Sequence, residues 1–336
     1  MRVVVTGASG NIGTALLRWL DGRAGIGSVV ALARHAPPAG AETPYARVSW
    51  VERDLGTAGD LAEVFSGADA VVHLAWDIVP GHHRAAHTRT NREGSRRVVD
   101  AVVRAGVPQL VHLSSAAVYS PHRARTAVTE DWPRRGVRTS AYSRDKVDVE
   151  DLLDRVEAEH PELRVARIRP PAVLQPAAAS EIARMMLGRA APLVRVARAR
   201  VPLLPLPPGA VVQVVAADDV ADLAGRALLA RATGAFNVAG EPHLSPVLLA
   251  RLLGGHHLPM PATTARAMLT GAWRLRLQPL DGSWLDLVLD TPLLDCTRAR
   301  DELGWRPEYD ARLTVLATRH AAAGSAGTHS PRLRPL

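Results

Sequence analysis

The 336-residue sequence predicts an α/β protein, a doubly wound parallel sheet followed by a smaller C-terminal lobe. Two observations carry that prediction. Short β-prone runs alternate with helical segments through the first half, and beyond Arg169 the alternation gives way to Pro-rich connections and helices. The β-prone runs cover residues 3–5, 28–33, 48–51, 70–75, 109–114 and 165–168, each punctuated by Gly, Asp or Pro. Helical periodicity falls at 11–20, 58–65, 88–104 and 141–159. Strand–helix–strand crossovers are right-handed, so helices cover both faces of the sheet and ligands bind at the carboxyl ends of its strands.

The expected boundaries are 1–170 for the first domain and 171–318 for the second lobe, which returns segments to the main sheet. That lobe has an Arg-rich helix, a strand at 211–215, a helix at 220–230 and further helices up to Met268. Residues 319–336 are small, polar and Pro-containing, and are expected to form a disordered tail.

Composition excludes several classes. With 47% apolar and 22% charged residues the chain can bury a core. The longest apolar stretch, 201–217, is broken by Pro202, Pro205, Pro207 and Pro208, so no membrane span is expected. Met1-Arg2 leads straight into a strand and a glycine turn without an apolar leader, which predicts a cytoplasmic protein. One cysteine, Cys296, allows neither an internal disulfide nor a cysteine-based zinc site. The net charge of +8 is almost all arginine, including a cluster at Arg184, Arg189, Arg195, Arg198 and Arg200. No groove-reading motif accompanies it, so no nucleic-acid partner is expected. His82, His83 and His87 lack an evident carboxylate co-ligand, and no metal is assigned.

The first chemical motif is Thr6-Gly7-Ala8-Ser9-Gly10-Asn11-Ile12-Gly13, which follows a strand and opens a helix. Glycines at 7, 10 and 13 permit a tight turn, close backbone approach to a phosphate, and tight helix–sheet packing, while the helix N-terminus favours an anion. A dinucleotide pyrophosphate fits, and the domain reads as a Rossmann fold. The second strand ends in Ala33-Arg34, with no carboxylate for a ribose 2′-hydroxyl, so Arg34 favours NADP, with NAD the alternative. Asp54 and Leu55, after the third strand, are placed to touch the adenine.

The second motif is Tyr142-Ser143-Arg144-Asp145-Lys146. A spacing of four places the phenol and the ammonium on one helical face, where the ammonium is expected to lower the tyrosine pKa toward that of a proton shuttle. Lys146 is the sole lysine in a chain rich in arginine. Ser114 and Ser115 close the fifth strand at its carboxyl end, and Ser115 is positioned to donate to a substrate carbonyl oxygen.

These motifs, together with Val72-His73-Leu74-Ala75, Asn91 with Gly94, and Ser114-Ser115-Ala116-Ala117-Val118-Tyr119, occur in an order that resembles the extended short-chain dehydrogenase/reductase superfamily, in its NAD-dependent epimerase/dehydratase branch. Arg169-Pro170, Ala217-Asp218-Asp219-Val220, Phe236-Asn237-Val238 and Glu302-Leu303-Gly304-Trp305 extend the resemblance to about residue 310. It implies Tyr142 as general acid/base, Lys146 as its tuner and a ribose ligand, and Ser115 as the carbonyl-binding hydroxyl. It also implies that Leu74, Ala75 and Trp76 line the nicotinamide side with help from Ser114, that Asn91 supports local backbone or a water, and that Asp219 caps the helix beginning near Val220.

The chain departs from the branch at Ala172, where nucleotide-sugar enzymes carry an asparagine, and in its apolar, Pro-rich segment 201–208. The leading expectation is therefore an NADP-dependent oxidoreductase acting on a more apolar carbonyl or alcohol, a small-molecule substrate. The alternatives are an epimerase or dehydratase that retains NAD, and a non-catalytic dinucleotide sensor. A homodimer through two long helices, containing Arg96 and Val147, is a further expectation.

Overall fold

A computed structural model of the chain describes residues 1–42, 44–57, 59–78, 88–122, 126–193 and 200–335. Seven strands form one fully parallel sheet: β1 (Arg2–Thr6), β2 (Ser28–Ala33), β3 (Ser49–Glu52), β4 (Ala70–His73), β5 (Gln109–Leu113), β7 (Arg164–Arg169) and β11 (Gly234–Asn237). Their spatial order is β11-β7-β5-β4-β1-β2-β3, with the order reversing beside β1. That reversal opens a crevice at the carboxyl ends of β1 and β4, where a doubly wound sheet binds its ligand.

The period-two alternation of each strand divides the core. Val3, Val5, Ala31, Val72, Val111 and Ile168 face one side, packed by helix α1 (Asn11–Leu20) and by Val220, Leu223 and Leu228 of a later helix. Val4, Val30, Leu32, Val71, Leu110 and Val165 face the other. There they meet Phe65 of α2 (Ala62–Phe65), Val98, Val99 and Val102 of α3 (Gly94–Arg104), and Leu153 of α4 (Ala141–Glu159).

Several predicted bounds shift. The segment 88–104 is a π turn, Arg89–Glu93, running into α3, and the helix read from residue 58 is confined to Ala62–Phe65. Beyond β7 come α5 (Ala179–Leu187), α6 (Ala217–Leu229), α7 (Pro246–Leu252), α8 (Ala262–Arg274), α9 (Gly282–Asp290), α10 (Thr297–Leu303) and α11 (Ala311–Ala323). Three two-stranded parallel ribbons join them: β8 (Ala172–Leu174) with β10 (Val214–Ala216), β9 (Leu203–Leu206) with β12 (His256–Pro259), and β6 (Ala127–Val128) with β13 (Leu293–Leu294).

Helix α6 starts at Ala217, before Val220, and no side chain caps it. Asp219 therefore does not cap; its carboxylate accepts from the backbone N–H groups of Glu308 and Tyr309 and ties a distant loop to the helix. The segment 319–336 also differs from expectation. Helix α11 continues through Ala323, a 3₁₀ turn covers Pro331–Leu333, and Leu333 is fully buried. Among the described residues, no helix is long and apolar enough to cross a membrane.

Candidate active site

At the end of β1 the chain turns through Gly7, whose φ of 72° lies in the left-handed region. A side chain there would bring its Cβ within 2.6 Å of Ala75 N, so the loop and the end of β4 are in direct contact. Gly13 is equally constrained, since a Cβ would fall 2.3 Å from Gly7 O. Gly10 precedes the first turn of α1, which no side chain caps and which carries no acidic residue. Uncapped N–H groups at the N-terminus of a ten-residue helix, beside a loop held open by glycine, suit a phosphate.

The rest of the loop is braced by its neighbours. Asn11 Nδ2 donates to Val173 O at 3.0 Å, while Asn11 Oδ1 is buried with no hydrogen-bond partner. Ile12 is half-buried against the core, and Ser9 is buried. Gln175, which sequence reasoning missed, donates to Asn11 O and to Thr14 Oγ1 and accepts from Arg18. The uncapped N–H donors of this loop fit a dinucleotide pyrophosphate.

The outer ribose end is less developed. Arg34 is exposed, and its guanidinium lies 3.6 Å from Asp77 Oδ1. Asp54 is exposed, with Oδ1 accepting from Gly56 N at 2.9 Å, and Leu55 is buried beneath α3. Leu74 is buried, and its N–H donates to Thr6 O at 3.1 Å.

The reactive end gathers around α4. Ser140 caps this helix by accepting from Ser143 N at 3.3 Å, and the first turn then presents Tyr142 and Lys146 on one face. The Tyr142 phenol faces the Ser115 hydroxyl, which acts to lower its pKa. Ser115 Oγ also accepts from Ala117 N at 3.1 Å, which fixes the serine at the end of β5. Lys146 is buried, donates from Nζ to Leu113 O at 2.7 Å, and lies 3.6 Å over the ring of Trp76. Trp76 meets Tyr142 edge-on at 6.1 Å, with its own Nε1 buried and unpartnered. Trp284 of α9, absent from the sequence reading, also approaches Tyr142, with ring centroids 6.1 Å apart. Ser115, Tyr142, Lys146 and Trp76 thus converge, and Trp76 contributes its side chain as well as its backbone.

Two expectations about this group change. Burial raises the Tyr142 pKa, and the lowering influence comes from the Ser115 hydroxyl rather than from Lys146. The ammonium is directed at Leu113 O and Trp76, and burial itself lowers the Lys146 pKa to about 7. Ser114 does not present its hydroxyl to this cluster: it donates to Glu150.

Glu150 lies one turn beyond Lys146 on α4 and is fully buried. It accepts from Arg169 Nε at 2.8 Å and Nη2 at 2.6 Å, and from Arg134 at 3.0 Å. Arg169 Nη1 continues to Tyr119 Oη at 2.9 Å, and Tyr119 donates to Asn237 Oδ1 at 2.6 Å. These bonds hold the Glu150 carboxyl below its usual range despite burial, and they link α4, β7 and β11 behind the site. Asn91 exchanges hydrogen bonds with the backbone of Asp77 at 2.7 and 3.0 Å, supporting local structure. His82, His83 and His87 lie outside the described residues, as do Arg195 and Arg198.

Comparison with known proteins places this geometry. A UDP-glucose 4-epimerase of Azospirillum brasilense is 34% identical over 169 residues, 47% of this chain and 45% of that protein. An uncharacterized protein of Mycobacterium tuberculosis is 26% identical over 314 residues, 93% of this chain. The chain spans only 29% of that relative's length. In fold, a Thermus thermophilus UDP-glucose 4-epimerase solved with NAD superposes with a TM-score of 0.71 at 21% identity, covering 97% of this chain and all of the other. A Bacillus cereus UDP-glucuronic acid 4-epimerase, also solved with NAD, superposes with a TM-score of 0.70 at 18% identity, covering 96% and 99% of the two chains. The sequence profile of one family matches residues 3–239. The chain belongs to the NAD dependent epimerase/dehydratase family, within the extended short-chain dehydrogenase/reductases.

Proposed function

We propose that the chain binds a nicotinamide dinucleotide along Gly7, Ser9, Gly10, Asn11, Ile12 and Gly13 and catalyses a hydride-transfer isomerisation of a nucleotide sugar. The convergence of Ser115, Tyr142 and Lys146 at the carboxyl end of β5, with Trp76 against both the phenol ring and the ammonium, is the observation that carries this reading. When bound, the cofactor accepts and returns a hydride at the nicotinamide ring. Tyr142 Oη is the atom that takes the substrate hydroxyl proton and gives it back. Ser115 Oγ bonds the same oxygen and stabilises charge as it develops there. Lys146 exchanges its contact with Trp76 for the nicotinamide ribose hydroxyls. Leu74, Ala75 and Trp76 wall the ring side, and Leu55 and Asp54 border the adenine.

Family membership and the named relatives support the isomerising reading over net oxidation or reduction. NAD is the dinucleotide of this reading, as in the solved epimerases. A second reading, NADPH-dependent reduction of a small carbonyl compound, is favoured by Arg34 at the end of β2 and by Ala172 in place of asparagine. Cofactor analysis after purification separates the two. Retained NAD, with isomerisation of a UDP-hexose and no accumulation of NADH, is the expected result; net oxidation of NADPH by a carbonyl panel supports the second reading. Under either reading Tyr142→Phe lowers turnover by roughly 10²–10⁴-fold with cofactor affinity kept. Unaltered turnover in that variant overturns both.

A further inference from the structure

A segment whose composition suggests disorder crosses the opening between the glycine-rich loop and α5. On the nucleotide side Ser330 Oγ donates to Ser9 O, and Arg332 Nη2 reaches Asp77 Oδ1 at 3.4 Å beyond the end of β4. On the side of the second lobe, Arg332 Nε pairs with Glu181, and Ser180 Oγ donates to Ala326 O at 2.7 Å. Arg184, a member of the arginine cluster, donates to Arg334 O at 2.8 Å and Pro335 O at 3.2 Å. Thr328 N to Leu333 O, at 2.9 Å, and Leu333 N to Ser330 O, at 3.0 Å, close the segment into a compact turn. Ser330 and Leu333 are both 0% exposed.

Ser9 immediately precedes Gly10 and the open N-terminus of α1, where the pyrophosphate fits. The anchors therefore straddle the passage that a dinucleotide takes between the loop and α5. To move through it, the ligand must break the Ser330 bond, part Arg332 from at least one carboxylate, and expose Leu333 to water. Each contact is individually weak, but they sit on one short turn and open together.

We propose that residues 326–335 form a strap over the dinucleotide cleft, latched by Ser330, Arg332 and Leu333, whose opening limits how fast the cofactor enters and leaves. The inference rests on the dinucleotide reading above. A strap of this kind suits an enzyme that returns its hydride to the same substrate and gains nothing from exchanging cofactor between turnovers.

Stopped-flow fluorescence of NADH with the full chain tests it, the off-rate being read by displacement with excess ADP-ribose. A Ser330→Ala/Arg332→Ala double variant and, separately, Leu333→Asp are expected to raise both association and dissociation rates by roughly tenfold or more. Rates within about twofold of the unaltered chain in both variants overturn the strap. Should neither NADH nor NADPH bind any of the three proteins, the dinucleotide reading fails and takes the strap with it, a result distinct from normal binding with unchanged rates.

Discussion

Lys146 is 2% exposed, and its ammonium is met by one carbonyl and one indole face. Burial lowers its pKa to about 7, against 10.5 in the unfolded chain, so the native state prefers the neutral amine. The unfolded chain holds the proton more tightly, and stability rises with pH between those two values. Replacing Lys146 with Met removes the buried charge. The variant is expected to be more stable by a few kcal/mol at pH 6, with the advantage shrinking above pH 7 and gone near 10.5. Thermal melts across that range check the prediction, and a pH-independent difference contradicts it. The same substitution is expected to slow turnover, because the proposed ribose ligand is lost.

The loop that opens α1 and the network behind α4 are the elements on which the site depends. In Gly13→Ala the new methyl group would meet Gly7 O at 2.3 Å and Ala8 O at 2.6 Å, both backbone atoms with little room to retreat. The expected cost is about 1–3 kcal/mol, with loss of dinucleotide affinity, measured by melting and titration calorimetry. Gly10→Ala, whose nearest neighbour is Gly7 O at 3.3 Å, serves as the milder control. Glu150→Gln leaves Arg169 buried without its counter-charge. Denaturant titration is expected to show a loss of about 3–5 kcal/mol, and a loss below about 1 kcal/mol contradicts the network's role. The glycine loop and the Tyr142–Lys146 pair were legible in the sequence because their spacing is local and their neighbours are strand and helix. Glu150 stands four residues beyond Lys146 on the same helical face, so a signal existed, but its partners Arg134 and Arg169 lie on other segments. Trp284 is separated from Tyr142 by most of the second lobe, and no local pattern announces that it returns.

Across the whole molecule, the doubly wound sheet was readable from alternating strands and helices, since each period reports which face is buried. The ribbons, the role of Asp219 and the ordered turn at Pro331–Leu333 were not, because long-range contacts create them. One such contact concerns stability. His73 and His112 lie side by side in the sheet, ring centroids 5.3 Å apart and both buried. Desolvation lowers the His73 pKa to about 3, with the Lys146 charge adding to it, and lowers that of His112 well below its usual value. The unfolded chain takes up these protons near pH 6.5, so the stability is complete above that pH and drains away as the pH falls toward 3. Both ring nitrogens of His112 lack a hydrogen-bond partner, so His112→Phe is expected to leave neutral-pH stability close to the original and to flatten the acid slope. Urea midpoints from pH 7 to 4 decide it, an unchanged slope counting against the assignment.

The edge strand β11 has a mechanical consequence. The polypeptide leaves the sheet at Arg169 and rejoins it at Gly234, hydrogen-bonded in register to the very strand it left. Everything between is a closed excursion clamped at two points to one ladder. Such a piece can breathe against its base, but it has no single pivot about which to swing wide. Opening on that side must then come from small local displacements rather than from the excursion swinging away as a whole.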